Sequence, residues 1–132
     1  MIEAETIIRH FYTALARGDS AAAFALFNPA IEWTSAERSP YYSGTVTGTE
    51  AIVTKVFAPI RRDFDGFACT PSDFVSRDDR TVSFGVYTGR ARNGDGALKA
   101  PFVHVWTVQD GRIIRFVQYT ESGAWAEALG KE

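Results

Sequence analysis

The order of predicted elements constrains this chain more than any single motif does. Apolar residues recur at helical spacing in two amphipathic segments, Ile2–Arg17 and Asp19–Phe27. An alternating segment at Ile31–Ser35 carries Trp33 and predicts a short strand, and a third helix is predicted near Thr49–Ile60. A run of strands occupies most of the remaining chain. Helices laid on one face of a curved antiparallel sheet form a cone with an open mouth, so this order predicts an α+β fold that can hold a small molecule.

Residues with special backbone preferences mark where the predicted helices begin and end. Gly18 ends the first helix, at a position that commonly takes a left-handed conformation. Asp19 caps the second helix, and Pro29 ends it because the residue before proline avoids helical geometry. Thr47 and Glu50 have the spacing of a capping box at the start of the third helix. The remaining predictions are a loop at Ser39–Gly48, strands at Phe67–Val75, Arg80–Arg90 and within Ala100–Glu121, turns at Ser76–Asp79, Asn93–Gly96 and Gln109–Gly111, and a last helix at Gly123–Leu129.

The composition fits one soluble domain that spans residues 1–132. Apolar residues make up 45% of the chain and charged residues 23%, which is the mix of a globular domain large enough to bury its own core. The formal net charge is −2, and Arg61 and Arg62 form only a basic doublet. Nucleic-acid binding favours a basic stripe or patch, so it is not expected here.

The few cysteines and histidines limit metal chemistry. Cys69 is the only cysteine, which excludes an internal disulfide and a cysteine-based metal cluster, and we expect it to pack as a small apolar group. His10 and His104 are the only histidines, so no metal or other cofactor is predicted. No apolar run approaches the roughly 18 residues of a membrane span, and the first residues lack the basic start of a signal peptide. The expected location is the cytoplasm, with no membrane partner.

Four segments resemble one known superfamily and occur in the same order. They are Phe11–Asp19, Ile31–Trp33, Gly48–Ile52 and His104–Ile114. These segments resemble the NTF2-like fold and, within it, the SnoaL-like polyketide cyclases and the proteins related to ketosteroid isomerase. The resemblance implies a strongly curved antiparallel sheet of five or six strands, with about three helices on its concave face. Because this fold carries enzymes, binding proteins and dimerisation modules, the resemblance does not imply one activity.

The polar groups of ketosteroid isomerase have no counterpart in this chain. That enzyme uses an aspartate base, while a tyrosine and a protonated aspartic acid form its oxyanion hole. The resemblance, matched without gaps, places the tyrosine at Phe11, the base at Ser35 and the second acid at Val103. None of these three side chains can perform the corresponding step, so the isomerase mechanism is not expected.

The polyketide cyclases share one polar position with this chain. The resemblance places their histidine at His104 and their proton-transferring acid at Gln118. An imidazole can act as an acid or a base near pH 7, whereas a carboxamide only donates and accepts hydrogen bonds. His104 and Gln118 are therefore candidate catalytic residues, the first to move protons and the second to hold a carbonyl or enol oxygen. The structural alternative is a hydrogen-bonded histidine in the core or at an interface.

The tight turn at Gln109–Gly111 decides which way the strand before it points its side chains. A three-residue loop with a bulge at its glycine pairs residue 104 with residue 116. The side chains that then share a face are His104, Trp106, Phe116 and Gln118. A two-residue loop pairs residue 105 with residue 116 and turns His104 to the opposite face of the sheet. The bulged form is the favoured prediction.

Aromatic side chains are the predicted walls of the pocket, which suits a planar or apolar ligand. The candidate ligand-binding residues are Phe11, Trp33, Ser35, Phe57, Phe84, Tyr87, Trp106 and Phe116. Each aromatic residue has plain core packing as its alternative. Glu37 lies two residues beyond Ser35 and is a third candidate catalytic residue, because a carboxylate at the cavity mouth can replace the missing base.

Three functional hypotheses follow from this pattern. The first is an enzyme of the SnoaL-like type that isomerises, cyclises or dehydrates an apolar, carbonyl-bearing small molecule. The second is a binding protein with the same cavity and no proton chemistry, and the third is a dimerisation module with a filled interior. In each case the uncovered face of the sheet is broad and partly apolar, so we expect it to form a homodimer.

Overall fold

The structure, a computed structural model, describes residues 3–94 and 96–131. The helices are α1 at Glu3–Ala16, α2 at Ser20–Phe24, α3 at Thr49–Ile52, α4 at Ala58–Asp63 and α5 at Ser122–Ala128, with a π-helical segment at Val53–Phe57. The strands are β1 at Phe27–Ser35, β2 at Gly44–Thr47, β3 at Phe64–Arg77, β4 at Arg80–Ala91, β5 at Ala97–Gln109 and β6 at Arg112–Thr120.

The six strands form one curved, unclosed sheet in the order β2-β1-β6-β5-β4-β3. Strands β1 and β6 run parallel, and the other neighbours run antiparallel. Helix α1 packs across β3 to β6, while α3 packs against β1 and β2, and α5 against β5. The predicted α+β cone is therefore confirmed. No helix within the described ranges is long and apolar enough to cross a lipid bilayer.

The end of α1 follows the predicted backbone signals. The helix stops at Ala16, and Gly18 takes a φ of 75°, the left-handed conformation expected after a helix. The Asp19 carboxylate accepts a hydrogen bond from the Ala22 N–H at 3.1 Å and caps α2. The predicted start of α1 at Ile2 lies outside the described residues.

The second helix is shorter than predicted, because its expected last residue belongs to the sheet. Helix α2 ends at Phe24, and Phe27 already begins β1, where it pairs with Ile113 of β6. The pairing of β1 with β6 is then irregular up to Glu32. Pro29 lies in this gap, so its missing N–H costs no ladder hydrogen bond.

The segment predicted as a loop at Ser39–Gly48 contains the edge strand β2. Val46 is buried opposite Trp33, and this contact gives the short strand its place on β1. Thr47 pairs within the sheet, so the predicted capping box is wrong. Gly48, with a φ of 96°, precedes α3 without any side-chain cap.

The third predicted helix is confirmed and continues to Asp63. Pro59, which the sequence predicts to kink or end the helix, lies in the first turn of α4 instead. The turn before it is π-helical, and the Ala58 N–H donates to the Val53 carbonyl five residues earlier. The wider turn lets the helix continue past a residue that has no N–H to donate.

The long strands exceed their predicted bounds. Strands β3 and β4 extend to Arg77 and Ala91 and enclose a turn in which Asp78 has a φ of 54°. The next turn, predicted at Asn93–Gly96, includes Asp95, which lies outside the described residues. The last helix, α5, is capped by Glu121, whose carboxylate accepts from the Gly123 N–H at 3.1 Å.

The hairpin of β5 and β6 has neither of the two registers predicted from the sequence. Gln109 pairs with Arg112 across a two-residue loop, in which Asp110 and Gly111 have φ values of 52° and 78°. A bulge lies between the pairs Thr107–Arg115 and Val108–Ile113, rather than at the glycine. His104 therefore pairs with residue 118. The loop and the bulge together restore the predicted face, so the side chains of residues 104, 106, 116 and 118 point toward the helices.

Candidate functional site

A chain of polar side chains crosses the otherwise aromatic core of the cone. Its members are Ser83, Tyr12, His104, Tyr87 and Gln118, and we call it the buried polar chain. Helix α1 contributes the residue at position 12, and strands β4, β5 and β6 contribute the others. Because side chains alternate along a strand, inward-facing positions of neighbouring strands meet in register beneath α1.

The inner end of the chain is anchored on α1. The Tyr12 hydroxyl lies 2.6 Å from Ser83 Oγ and 2.5 Å from His104 Nδ1. Trp106 Nε1 donates to Ser83 Oγ at 3.0 Å and to the Tyr12 oxygen at 3.3 Å. The hydroxyls at this end are held by an indole and an imidazole, with no water needed between them.

The outer end of the chain reaches the first loop after β1. His104 Nε2 lies 2.5 Å from the Tyr87 hydroxyl, and Gln118 Nε2 donates to the same oxygen at 2.8 Å. Gln118 Oε1 accepts from the backbone N–H of Ala36 at 3.0 Å. The Tyr87 hydroxyl therefore links the imidazole to the carboxamide, and no direct hydrogen bond joins the two.

The fixed donors of the chain determine where its protons lie. The Ala36 N–H can only donate, so it fixes the Gln118 carbonyl and turns the amide N–H groups toward Tyr87. Since the Tyr87 oxygen accepts from that amide, its own hydrogen is available for His104 Nε2. His104 then carries its proton on Nδ1 and donates to the Tyr12 oxygen. We infer this neutral tautomer because it gives the Tyr87 hydroxyl hydrogen an acceptor.

Burial keeps this chain uncharged near pH 7. His104 is 3% exposed, and desolvation lowers its pKa well below the ordinary value of 6.5. Desolvation likewise raises the pKa of Tyr12 and of Tyr87 well above 10.0, with a smaller contribution in each case from nearby Cys69. Within residues 3–94 and 96–131, every fully buried side-chain nitrogen or oxygen has a hydrogen-bond partner.

Gln118 is the one member of the chain with a spare donor beside empty space. Its second amide N–H has no hydrogen-bond partner among the described residues. The side chain borders a void of about 10 Å³, near the volume that one water molecule needs. The void is lined by Ser35, Ser39, Pro40, Tyr41, Val56, Ile60, Gln118, Thr120, Ser122 and Trp125.

A larger cleft opens between the end of α1, helix α4 and strand β3. Its volume is about 460 Å³, within the range of small-molecule sites. Ile60 lines both this cleft and the void beside Gln118. Ile60 is therefore the residue that the walls of the two spaces share.

Most of the predicted pocket residues come together in the core. Trp33 stacks on Phe116 with 3.7 Å between ring centroids, and Phe57 packs edge-on to Trp33 at 5.3 Å. Phe11 packs edge-on to Trp106 at 5.1 Å. These rings fill the space around the polar chain, whereas Ser35, 7% exposed, lines the small void.

Three positions singled out in the sequence do not reach this site. Phe84 is 37% exposed on the outer face of the sheet, because the strand alternation points its neighbour Ser83 inward. Val103, the counterpart of the second isomerase acid, points outward for the same reason. Glu37 is exposed in the loop after β1, where its backbone carbonyl accepts from the Ser122 hydroxyl. Neither a pocket wall at Phe84 nor a base at Glu37 fits this arrangement.

Two members of the site escaped the sequence reasoning. Helical periodicity places Tyr12 on the apolar face of α1, and the resemblance places the tyrosine of ketosteroid isomerase at Phe11 instead. A tyrosine at a core position still needs a partner for its hydroxyl, and that signal was available in the sequence. Ser83 carried no comparable signal. Its role depends on a strand register that the sequence leaves open.

Metal binding finds no support in the described part of the chain. No group of three or more His, Cys, Asp or Glu side chains within it is arranged to hold an ion. Cys69 is half-buried on β3, and desolvation raises the pKa of its thiol, which disfavours the thiolate that metals prefer.

Fold and site together define a cone-shaped α+β protein with a polar chain across its core. The protein belongs to the SnoaL-like domain family, whose model matches residues 8–116. The crystal structure of an NTF2-like protein from Burkholderia thailandensis is 30% identical, covers 98% of each chain and has a TM-score of 0.90. No curated protein matched the sequence.

Two further solved structures share the fold at lower identity. TerC, co-crystallised with polyporic acid, is 23% identical over 98% of this chain and 99% of its own, with a TM-score of 0.85. A putative SnoaL-like polyketide cyclase from Jannaschia sp. CCS1 is 14% identical over 98% and 93%, with a TM-score of 0.83. The resemblance drawn from the sequence is confirmed at the level of family and fold.

Proposed function

We propose that this protein binds an apolar, carbonyl-bearing small molecule and assists its isomerisation, cyclisation or dehydration by polarising the carbonyl. The observation that carries the proposal is the spare amide N–H of Gln118, held beside a void at the end of the buried polar chain. The donor has no partner among the described protein groups, so it is available to a ligand oxygen placed there. Such a donor stabilises the negative charge that develops on the carbonyl oxygen when a base from solvent takes the α-proton and an enolate forms.

The polar chain gives the residues behind Gln118 a positioning role. His104 Nε2 accepts from Tyr87, and Tyr87 accepts from the Gln118 amide, so the imidazole holds the carboxamide through one hydroxyl. Gln118 is the group that contacts the ligand oxygen, while His104 and Tyr87 act through it. This differs from the sequence-based expectation, in which His104 itself moves protons, because both of its ring nitrogens are engaged.

The proposed route from the cleft to the void passes Ile60, which lines both spaces. The space beside Gln118 holds about one water molecule, whereas the cleft on the other side of Ile60 has a volume of about 460 Å³. Ile60 follows the π-helical turn, and such turns often occur at functional sites where a helix adjusts. A ligand in the cleft would reach Gln118 when this side chain swings aside.

Ligand binding without chemistry is the second candidate. It is favoured by the low pKa of His104, which leaves the imidazole neutral and without a proton to release near pH 7. The same geometry would then serve only to hold an oxygen atom. The two candidates share the site and differ in whether the bound molecule reacts.

A panel of aromatic ketones separates these outcomes. Binding of 2-tetralone, 2-acetylnaphthalene and 4-acetylbenzoate is measured through tryptophan fluorescence, and α-proton exchange in D₂O is followed by NMR. Gln118→Leu should weaken ketone binding about fivefold, the effect of one hydrogen bond of about 1 kcal/mol. Thr107→Val, on the outer face of the sheet, is the matched control. Faster α-proton exchange in the bound ketone supports catalysis, and binding without it supports the second candidate.

The ketone proposal fails if no member of the panel binds. It also fails if the Gln118→Leu and Thr107→Val variants bind ketones as tightly as the unaltered protein. Circular dichroism of each variant shows whether the fold is retained, so that loss of the site is not confused with unfolding.

The proposed assembly is a homodimer through the outer face of the sheet. Two rows of outward side chains cross the strands there: Phe84, Val103 and Tyr119 in one row, and Val75, Val82, Val105 and Val117 in the next. Val75 is 58% exposed and Tyr119 59%. A contiguous apolar surface of this kind is typical of an interface, and a second copy of the chain supplies a self-complementary partner.

A further inference from the structure

The charged residues that line the cleft outside Ile60 are arginines. Most of its wall is apolar: Leu15, Ala16, Phe57, Ile60, Phe64, Phe67, Ala68 and Cys69 line it. Among the lining residues the charged ones are Arg61 and Arg92. A neighbouring recess of about 430 Å³ shares both arginines and adds Arg62. Two guanidinium groups thus line the aromatic cleft and a third lies in the neighbouring recess, in a protein whose formal net charge is −2.

The three arginines differ in what holds them. Arg62 pairs with Asp63 at 2.9 Å, and Arg92 pairs with Asp65 at 2.9 Å. The Arg61 guanidinium forms no ion pair or hydrogen bond with any described residue. The positive charge of Arg61 at the cleft is therefore not neutralised by the protein itself.

The remaining wall suits a flat apolar body. Phe57 comes from the π-helical segment, Phe64 and Phe67 come from β3, and all three line a space of about 460 Å³. Ligand sites of this size commonly combine apolar walls with a few polar groups that orient the ligand. A guanidinium has the geometry to bind a carboxylate or a related anion through two parallel N–H groups.

We propose that this cleft binds flat, apolar small molecules that carry one anionic group, such as a carboxylate, a sulfonate or an ionised enol, and that Arg61 binds that group. The inference rests on the proposed function only for the position of the ligand's other end, which would reach Gln118 past Ile60. The apolar body lies against the phenylalanine rings. Arg92 adds positive charge at the rim, since its exposed pair with Asp65 is weak.

Two fluorescent probes with the same aromatic body test the assignment. The anionic probe is 8-anilino-1-naphthalenesulfonate, and the neutral one is N-phenyl-1-naphthylamine, which lacks the sulfonate. Arg61→Gln should weaken binding of the anionic probe about fivefold, the size expected for one partly exposed ion pair, and leave the neutral probe unchanged. Arg77→Gln is the matched control, because Arg77 is exposed at the far end of β3 and loses the same charge.

Salt and a blocking substitution locate the interaction. In 0.5 M NaCl the unaltered protein should bind the anionic probe about as weakly as Arg61→Gln does, because screening removes the contribution of the charge. Ala68→Trp fills the cleft from β3 and should abolish binding of both probes. Circular dichroism checks that the variant folds. Thr70→Trp is the second blocking variant if the first does not fold.

The proposal is overturned if Arg61→Gln affects both probes equally, if Arg77→Gln weakens the anionic probe as much, or if both blocking variants leave binding intact. The last result would place the probe elsewhere, for example on the outer sheet face. Gln118→Leu separates the two proposals: unchanged ketone binding in that variant, together with a charge-specific effect at Arg61, would refute the carbonyl site and leave the anion site standing.

Discussion

His104 illustrates how burial changes the chemistry available to a side chain. In the sequence it is a histidine with an ordinary pKa and a candidate for proton transfer. In the fold it lies between two tyrosine hydroxyls at 2.5 Å each and is shielded from water, so the neutral ring is the favoured form. The structure therefore shifts the interpretation of His104 from proton transfer toward positioning.

The pH dependence of stability tests this neutrality. The unfolded chain binds a proton at His104 below about pH 6.5, whereas the folded chain resists it, so stability is retained above that pH and falls as the pH drops. Between pH 6.5 and 5 the free energy of unfolding should fall by about 1.6 kcal/mol in total, because the slope rises from about 0.7 kcal/mol per pH unit at pH 6.5 toward about 1.4 near pH 5. Urea denaturation at several pH values measures this slope.

The source of that slope can be isolated. Glu5 and Asp63 have pKa values below their ordinary range, so their contributions are lost only at lower pH. His104→Asn should flatten the profile between pH 6.5 and 5, while His10→Asn, an exposed position on α1, should leave it unchanged. A profile that is flat in the unaltered protein contradicts the buried neutral imidazole.

Tyr87 is predicted to matter through its hydroxyl alone. Tyr87→Phe keeps the ring but leaves His104 Nε2 and the Gln118 amide without their shared partner. Unpaired buried polar groups cost about 1–3 kcal/mol, so the free energy of unfolding should fall by that amount. Tyr119→Phe, 59% exposed on the outer face, is the matched control and should be neutral. Equal denaturation midpoints for the two variants would contradict the hydrogen bonds assigned to Tyr87 in the buried polar chain.

At the scale of elements, the last hairpin shows what strand patterns can and cannot predict. The face of His104 was predicted correctly, although both proposed registers were wrong. Alternation fixes only whether a residue is inward or outward, and a two-residue loop combined with a bulge preserves the predicted parity. The bulge itself leaves no mark in the local sequence.

The hairpin loop carries its own prediction. Gly111 has a φ of 78° and open space around the position of a Cβ, so substitution meets conformational strain but no clash. Gly111→Ala should lower the free energy of unfolding by about 1 kcal/mol. Gly94→Ala, also in open space but without a positive φ, is the control and should have little effect. A neutral result at Gly111, measured by urea denaturation, would argue against the two-residue loop.

Other elements show where local sequence signals lose to tertiary contacts. Residues after Phe24 favour helix, yet Phe27 joins β1 because β6 offers it a pairing partner. The strand β2 lies in a segment rich in turn-forming residues, and its place depends on Val46 packing opposite Trp33. Such competition between local preference and distant partners cannot be resolved from one segment alone.

At the scale of the whole molecule, we expect the outer face of the sheet to form a dimer that one charged substitution dissociates. Val105 lies in the middle of an outward row, between Val82 and Val117. Val105→Glu should convert a dimer into a monomer in sedimentation velocity, because a buried unpaired charge is costly. His10→Glu adds the same charge on the exposed side of α1 and should remain dimeric. A monomer in the unaltered protein contradicts the proposed interface.

The fold as a whole was predictable because its signals are redundant, while the site was not. Helical periodicity, Gly18 with Asp19, and the Trp33 strand all point to the same cone. The polar chain depends on hydroxyl groups from α1 and β4 that meet only after the sheet has curved. The size of the space beside Gln118 also depends on how Ile60 and Trp125 pack, and no sequence pattern encodes that packing.

The most direct measurement is an NMR spectrum of the ¹⁵N-labelled side chains of Gln118 and His104 at pH 7, recorded as aromatic ketones with and without a carboxylate are added. We expect a neutral His104 imidazole protonated on Nδ1 throughout, and a shift of the Gln118 amide signal when a ketone binds. A protonated imidazole, or a Gln118 signal that stays unchanged while a ketone demonstrably binds, would contradict this expectation.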